Sequence, residues 1–144
     1  MDPTAAVVAG LIGTAVMTVV MVMAPKMGMP KMDVMGVLGS MFSEDAGTAR
    51  WMGFVAHFVM GIVFALIYAA LWNAKVGEAT WSWGLIFGLV HGIVAIVAMP
   101  MMLGMHPRPP EMERSTKMMA GQIVGHLVFG LVVALTYAQY VTGA

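Results

Sequence analysis

The sequence predicts an all-α membrane protein, a bundle of four transmembrane helices built from two tandem helical hairpins. Three observations predict it. Apolar residues fill 60% of the 144 positions and charged residues only 10%, against about 25% charged in a soluble domain. The excess is gathered into four runs, residues 5–24, 51–72, 81–99 and 118–141, each close to the roughly 20 residues that cross about 30 Å of hydrocarbon as a helix. Finally, VAHFVMGIVFALIYA (55–69) returns as VGHLVFGLVVALTYA (124–138), identical at nine of fifteen positions.

The first span opens at Asp2-Pro3, with Asp as N-cap and Pro at the first helical position, where its missing N–H costs nothing. It runs to Pro25, which stops or kinks it. A signal peptide fits this segment poorly. Residues 1–10 hold no lysine or arginine, and no small-residue cleavage site precedes a hydrophilic chain. The next segment, PKMGMPKMDVMGVLGSMF, is too short to span. Over 32–42, Asp33, Gly36 and Ser40 share one polar stripe and the rest is apolar. That pattern predicts a short interfacial helix, lying on the membrane surface or folded back onto the bundle.

SEDAGTAR (43–50) reads as loop, and the second span runs from about Arg50 to Trp72. NAKVGEAT (73–80) is a tight connection broken at Gly77; Thr80 can cap the third span, which ends near Pro100. The prolines of MHPRPPEMERSTK (105–117) keep that loop extended to Pro110. Glu111 and Glu113 suit the first turn of an early-starting fourth helix. Together these boundaries make one membrane domain over 1–144. Hairpin one covers 4–72, including the interfacial helix at 32–42, and hairpin two covers 80–141.

The other two spans repeat more weakly. GLIGTAVMTVVMVMAP (10–25) and GLIFGLVHGIVAIVAMP (84–100) share Gly-Leu-Ile and a closing proline, with one residue inserted. Each hairpin crosses twice, so both copies keep one orientation. The expected symmetry is a parallel repeat about a pseudo-twofold axis along the membrane normal.

In lipid, small residues mark helix contacts because the backbones must approach closely. Gly53, His57, Gly61, Ala65 and Tyr68 share a face of the second span; Gln122, His126, Gly130, Ala134 and Tyr137 repeat it on the fourth. The third span offers Gly84, Gly88 and His91, the first Gly10, Thr14 and Met17. Gly53, Gly61, Gly84, Gly88 and Gly130 are therefore the predicted packing positions, and three histidines face the bundle. At 1.5 Å per residue, His57 lies roughly 10 Å from the inner end of its span, and His91 and His126 roughly 12 Å. Met17 falls at the same level, so one layer gathers a residue from each span.

Ionisable groups inside a membrane are costly and functional by default. Imidazole is the commonest transition-metal ligand, and with methionine it suits Cu(I) or haem iron. One reading of the layer is thus copper or haem b held by His57, His91, His126 and Met17. Methionines crowd the inner ends of the spans, and Met29, Met105, Met112 and His106 extend this reading to an exit path. The plainer reading sets the histidines to bonding Thr14, Thr18, Gln122 or a carbonyl across the interface, with methionine as gap-filling material. The balance lies with hydrogen bonds and no cofactor.

Several classes are excluded. There is no cysteine, so thiolate chemistry and disulfides are out. Net charge is zero and no basic face exists for nucleic acid. No phosphate-binding loop, Gly-x-Ser-x-Gly or His-Glu-x-x-His is present. All seven acidic residues fall outside the spans, which argues against a carboxylate-driven carrier and against an enzyme.

Gly-x-x-x-His-Phe-x-x-Gly in the second span, the Met-Pro-Met ending of the third and His-Leu-Val-x-Gly in the fourth are short motifs. With them the chain resembles, from about Gly10 to Ala138, a widespread family of small four-helix membrane proteins of bacteria and archaea whose function is unknown. The family-like positions are Gly53, His57, Gly61, Pro100, His126 and Gly130. His91 and Met-His-Pro-Arg-Pro-Pro have no counterpart in it, and the acidic start departs from the family's basic one. The resemblance implies the fold and no activity. The chain therefore reads as an accessory or scaffold subunit packing in the lipid bilayer against other membrane proteins or a second copy. Metal or haem handling is the alternative.

Orientation follows from basic residues. Lys26, Lys31, Arg50, Arg108, Arg114 and Lys117 lie in the first and third loops, and only Lys75 lies in the second. This places loops 25–50 and 100–117 in the cytoplasm and both termini outside the inner membrane. Trp72, Trp81, Trp83, Tyr137 and Tyr140 would then form an outer aromatic belt, with Trp51 inside. Because the chain lacks cysteine, a single introduced thiol reports its own side. Glu78→Cys should react with an impermeant maleimide on intact cells, and Glu44→Cys only after lysis; the opposite pattern would reverse the topology.

Overall fold

Among the described residues, four of the five α-helices start at a short polar side chain that closes the first turn. The computed structural model describes residues 1–109 and 115–143. Asp2 accepts the Ala5 N–H at 3.0 Å and opens α1 (Pro3–Met23), which tightens into a 3₁₀ turn over Ala24–Met27. Asp33 accepts the Gly36 N–H at 2.9 Å and opens α2 (Val34–Ser40), shorter than the expected 32–42. Asp45 takes both the Thr48 amide, at 2.8 Å, and its hydroxyl, at 2.6 Å. The Thr48 hydroxyl, with the amide, holds the Asp45 carboxyl below its usual range. That cap starts α3 (Ala46–Asn73) before Arg50, where apolar periodicity alone would start it.

Gly77, at φ +74°, and Lys75, at φ +66°, turn the chain into α4 (Trp81–Gly104). Thr80 stands at its N-cap, but the hydroxyl pairs with Ser82 at 3.1 Å instead of an amide. The expected stop at Pro100 does not occur. A proline so near the end of a helix removes one hydrogen bond without ending it, and α4 runs on to Gly104. Ser115 caps α5 (Thr116–Thr142) through the Met118 amide at 3.2 Å. Glu111, Met112, Glu113 and Arg114 lie outside the described residues.

α1 is the central span. It packs along α3 on one side and α5 on the other; α4 packs along α5, and α2 along α3. The α3 and α4 backbones are not a close pair, and side chains bridge them. Glycines set the close crossings. A Cβ on Gly10 would stand 2.8 Å from the Ile62 Cα, and one on Gly61 would collide with the Thr14 hydroxyl. A Cβ on Gly84 would stand 2.6 Å from the Gly130 carbonyl, and one on Gly130 would lie 2.8 Å from the Gly88 Cα. In both hairpins, then, the glycine of Gly-Leu-Ile meets the glycine four residues after the histidine. Gly53 works differently: it and Gly39 let α2 lie against the first turns of α3, at Met35 and Ala49.

The end away from α2 is an aromatic cluster. Trp72 stacks on Phe87 at 5.8 Å, and Tyr68, Trp83 and Tyr137 close around them. This corrects the outer belt. Trp81 and Tyr140 do face out, 63% and 57% exposed, but Trp72 and Tyr137 are buried. Trp72 follows Tyr68 by one helical turn on the bundle face, and the Tyr137 hydroxyl accepts the Asp2 N–H at 3.0 Å.

Among the described residues, four helices are long and apolar enough to cross a membrane. α3, at 28 residues, is about 42 Å long and outreaches the hydrocarbon. The outward faces carry valine and isoleucine, such as Val59, Val63 and Ile67 on α3 and Val90, Val94 and Val97 on α4. Polar and small residues point inward. That inversion of a soluble protein's pattern suits a bilayer.

The crossings give a paired test. Gly130→Ala should lower stability by roughly 1–3 kcal/mol through overpacking. Gly125→Ala, whose Cβ would meet only Met17 at 3.7 Å, should be neutral or up to about 1 kcal/mol stabilising through helix propensity. Unfolding of both variants in mixed detergent–SDS micelles checks this, and equal effects would contradict the assigned crossings.

Candidate intramembrane binding site

Where α3 and α4 fail to close, the bundle holds a cavity of about 160 Å³ in the half nearer α2. Thr14 and Met17 of α1, His57, Met60 and Phe64 of α3, and His91 and Ala95 of α4 form three walls. Gln122, Gly125, His126 and Phe129 of α5 form the fourth, and Val34, Val37 and Leu38 of α2 the floor. Glycine at 125 leaves space that a side chain would fill. Met60 and Ala98 line the cavity and are also exposed on the outside. The mouth therefore opens sideways between α3 and α4, toward lipid.

His57, His91, His126 and Met17 all border this one cavity. Their hydrogen bonds define which nitrogens are free. The Thr18 hydroxyl donates to the Thr14 carbonyl at 2.7 Å. Its oxygen must then accept from His57 Nε2–H, 3.2 Å away, which leaves Nδ1 of His57 as a lone pair. His126 Nδ1–H donates to the Gln122 carbonyl at 2.7 Å, leaving Nε2 as a lone pair. His91 Nδ1 lies 3.2 Å from the Tyr68 hydroxyl, and its ring rests on Phe64 at 3.8 Å. The His91 and His126 rings touch edge to face, 4.5 Å apart at 70°.

These distances bear on a cofactor. Among the described residues no three His, Cys, Asp or Glu side chains stand at metal-binding spacing. The His91 and His126 rings are already in contact, so no porphyrin plane fits between them. What the layer offers is two imidazole lone pairs and a histidine–tyrosine pair in an apolar chamber. The sequence suggests Gln122 as a side-chain partner for a histidine, yet His126 uses its backbone carbonyl. The Gln122 side chain is buried at the cavity wall, and no hydrogen bond to it is found among the described residues.

The exit residues separate. Met29 lies against Gly121 together with Met32, beside the cavity floor. Met105 points away, 77% exposed. His106 is buried, and both its nitrogens are taken. Nδ1 accepts the Arg108 N–H at 3.0 Å, so Nε2–H is shared by the Val37 carbonyl, at 3.0 Å, and the Ser40 hydroxyl, at 3.2 Å. The Arg108 guanidinium adds bonds to the Ser40 carbonyl, at 2.8 and 3.2 Å, and to Glu44 at 3.0 Å. These bonds fasten α2, the cavity floor, to the end of α4. Nothing in residue spacing links His106 to residues 66 and 69 positions earlier; the His-Pro-Arg turn is its only local signal.

Removing that fastening should loosen the floor alone. His106→Ala strands the Arg108 amide and leaves the Val37 carbonyl with only the Ser40 hydroxyl, at a cost of about 1–3 kcal/mol. Amide exchange over 37–42 should speed by about tenfold or more while exchange in the middle of α5 is unchanged. Uniform acceleration would mean the residue supports the whole bundle.

No curated protein and no solved structure matches the chain. The model of a family of unknown function (DUF6789) matches residues 1–143, a span that takes in both hairpins, the α2 floor and every residue of the cavity wall. By that match over nearly its whole length, the chain belongs to this family of unknown function.

Proposed function

We propose that the chain is a non-enzymatic, multi-pass membrane protein that serves as an accessory or scaffold subunit, and that its working part is the histidine-lined cavity. One observation carries this. Three of the four seams between spans are closed by backbone contact, and the fourth, between α3 and α4, opens the cavity to its membrane neighbours. The role would be to hold something at that mouth against other membrane helices. An enzyme is not favoured, because among the described residues no carboxylate, lysine or arginine borders the cavity, and its histidines bond to structural partners. The orientation proposed with it keeps both termini outside and α2 at the cytoplasmic interface. The matched glycine pairs, 10 with 61 and 84 with 130, support an origin by tandem duplication.

Metal handling is a second reading, favoured by the placement of His57, His91, His126 and Met17 around one space. It would need His91 to swing off Tyr68 before three nitrogens could converge.

Cross-linking tests the subunit reading. Met60→Cys and Ala98→Cys flank the mouth. In native membranes at least one should cross-link to a second membrane protein or a second copy, whereas Val22→Cys, on the outer face of α1, should not. A chain that runs as a lone monomer, with no mouth-specific cross-link, would overturn it. Copper or iron retained through gentle purification, and lost in His126→Ala, would favour the metal reading instead.

A further inference from the structure

We infer that the cavity binds the ring of a neutral, membrane-dissolved molecule carrying hydrogen-bonding oxygens, of the quinone or quinol class. This rests on the reading of the cavity as the working site and names what it would hold.

Size sets the first limit. A dry cavity of about 150 Å³ takes one benzene-sized ring. The chamber here, about 160 Å³, has room for one six-membered ring with small substituents. It cannot take a porphyrin or a whole lipid. A long apolar tail would have to remain outside, in the membrane.

Charge sets the second limit. Among the described residues, no lysine, arginine, aspartate or glutamate lines the chamber. An anionic or cationic headgroup would be left unpaired in an apolar space at heavy cost. The ligand must be neutral.

The polar atoms set the third. The lone pairs of His57 Nδ1 and His126 Nε2 accept hydrogen bonds, as a quinol's hydroxyl groups would give. The Gln122 amide donates, as a quinone's carbonyl oxygen would require, and it is otherwise without a bond among the described residues. A ring whose oxygens alternate between hydroxyl and carbonyl matches a wall holding both kinds of partner. Phe64 and Phe129 supply aromatic faces, and Met17 and Met60 supply sulfur against a ring.

Access sets the fourth. The mouth lies between two spans, where Met60 and Ala98 meet lipid, so the ligand must come from the bilayer and not from water. Binding alone is proposed, without electron transfer.

The experiment uses the full chain in lipid nanodiscs, with a short-tailed benzoquinone and its reduced quinol as probes, and a naphthoquinone alongside. Binding is read by equilibrium partition against empty nanodiscs and by the ¹⁵N shifts of the histidine rings. The wild type should bind at least one probe saturably, with the His126 and His57 nitrogens shifting. Gly125→Leu fills the chamber from a position with open room and should weaken binding by about tenfold or more while remaining as thermally stable as the wild type. Gln122→Leu should weaken the quinone more than the quinol. The benzo-ring should bind better than the naphtho-ring, and the reverse order would contradict the one-ring size limit. Partition equal to empty nanodiscs for every probe, or binding unchanged in Gly125→Leu, would overturn the inference. The mouth cross-links are read on chain without probe, so their presence beside absent ring binding would sink the ligand class and leave the subunit reading standing.

Discussion

The contact on which the rest depends is backbone against backbone at glycine. In lipid there is no water to expel from between apolar helices, so burial does not hold spans together. Close approach and the dispersion it brings must do so. Gly10 against Gly61, and Gly84 and Gly88 against Gly130, bring α1 to α3 and α4 to α5 at distances no other residue permits. Once those crossings are fixed, the faces bearing Thr14, His57, Gln122 and His126 have to turn inward, because they lie on the same stripes. The cavity is the space those stripes leave where a crossing is missing.

Polar groups placed this way cannot be left unbonded at low cost, and the spans largely satisfy them with their own chain. Thr18 bonds back to Thr14, and His126 back to the Gln122 carbonyl, each one helical turn away. Such bonds, with that of His57 to Thr18, fix the imidazole tautomers and leave one nitrogen of His57 and one of His126 without a partner among the described residues. His106 is fixed in the same way outside the spans, and what it orients is α2. The site therefore has rigid walls made by helix crossings and a floor held by a few hydrogen bonds. Those two parts differ in what would loosen them.

Much of this is legible in the sequence because the membrane simplifies the problem. Four long apolar runs and a glycine stripe leave little choice of secondary structure, and depth along a helix comes from counting. The caps at Asp2 and Asp33 can also be read, since their bonds close within three residues. The illegible part depends on contacts between elements. Trp72 and Tyr137 look like interfacial residues by position, and only the ring contacts that reach from α3 to α4 and α5 show them to be core. Pro100 looks like a stop, but a helix ends where its hydrogen-bond partners run out, and this one has them as far as Gly104. The shared depth of the histidines is legible. That His91 bonds Tyr68 and touches His126 is not, because rotamers depend on neighbours that lie on other spans.

The open seam has its own explanation in paired positions. Aligned on Gly-Leu-Ile, Gly13 of α1 corresponds to Phe87 of α4, each three residues on, and Met17 corresponds to His91, each seven on. Aligned on the repeated stretch, Val133 of α5 corresponds to Phe64 of α3. At the α1–α5 seam, Gly13 lies directly under Val133 and Phe129, where a Cβ would stand 2.8 Å from the valine methyl. The glycine makes room for both side chains, the Phe129 ring included, and the helices pack closely. At the α3–α4 seam the same places hold Phe87, His91 and Phe64; the Phe64 and His91 rings touch, and Tyr68 meets His91 and Phe87 edge to face. Three rings occupy the volume that a glycine and two aliphatic side chains leave free on the other side. A seam filled by rings cannot bring its backbones together, and below the last of those rings α4 offers the cavity only the small Ala95 and Ala98 and the flexible Met99 and Met102. Small residues there, with no crossing to press them home, leave a chamber and a mouth. Two hairpins with similar glycine crossings thus become a bundle with one closed side and one open side, and the histidine layer lies immediately behind the open one.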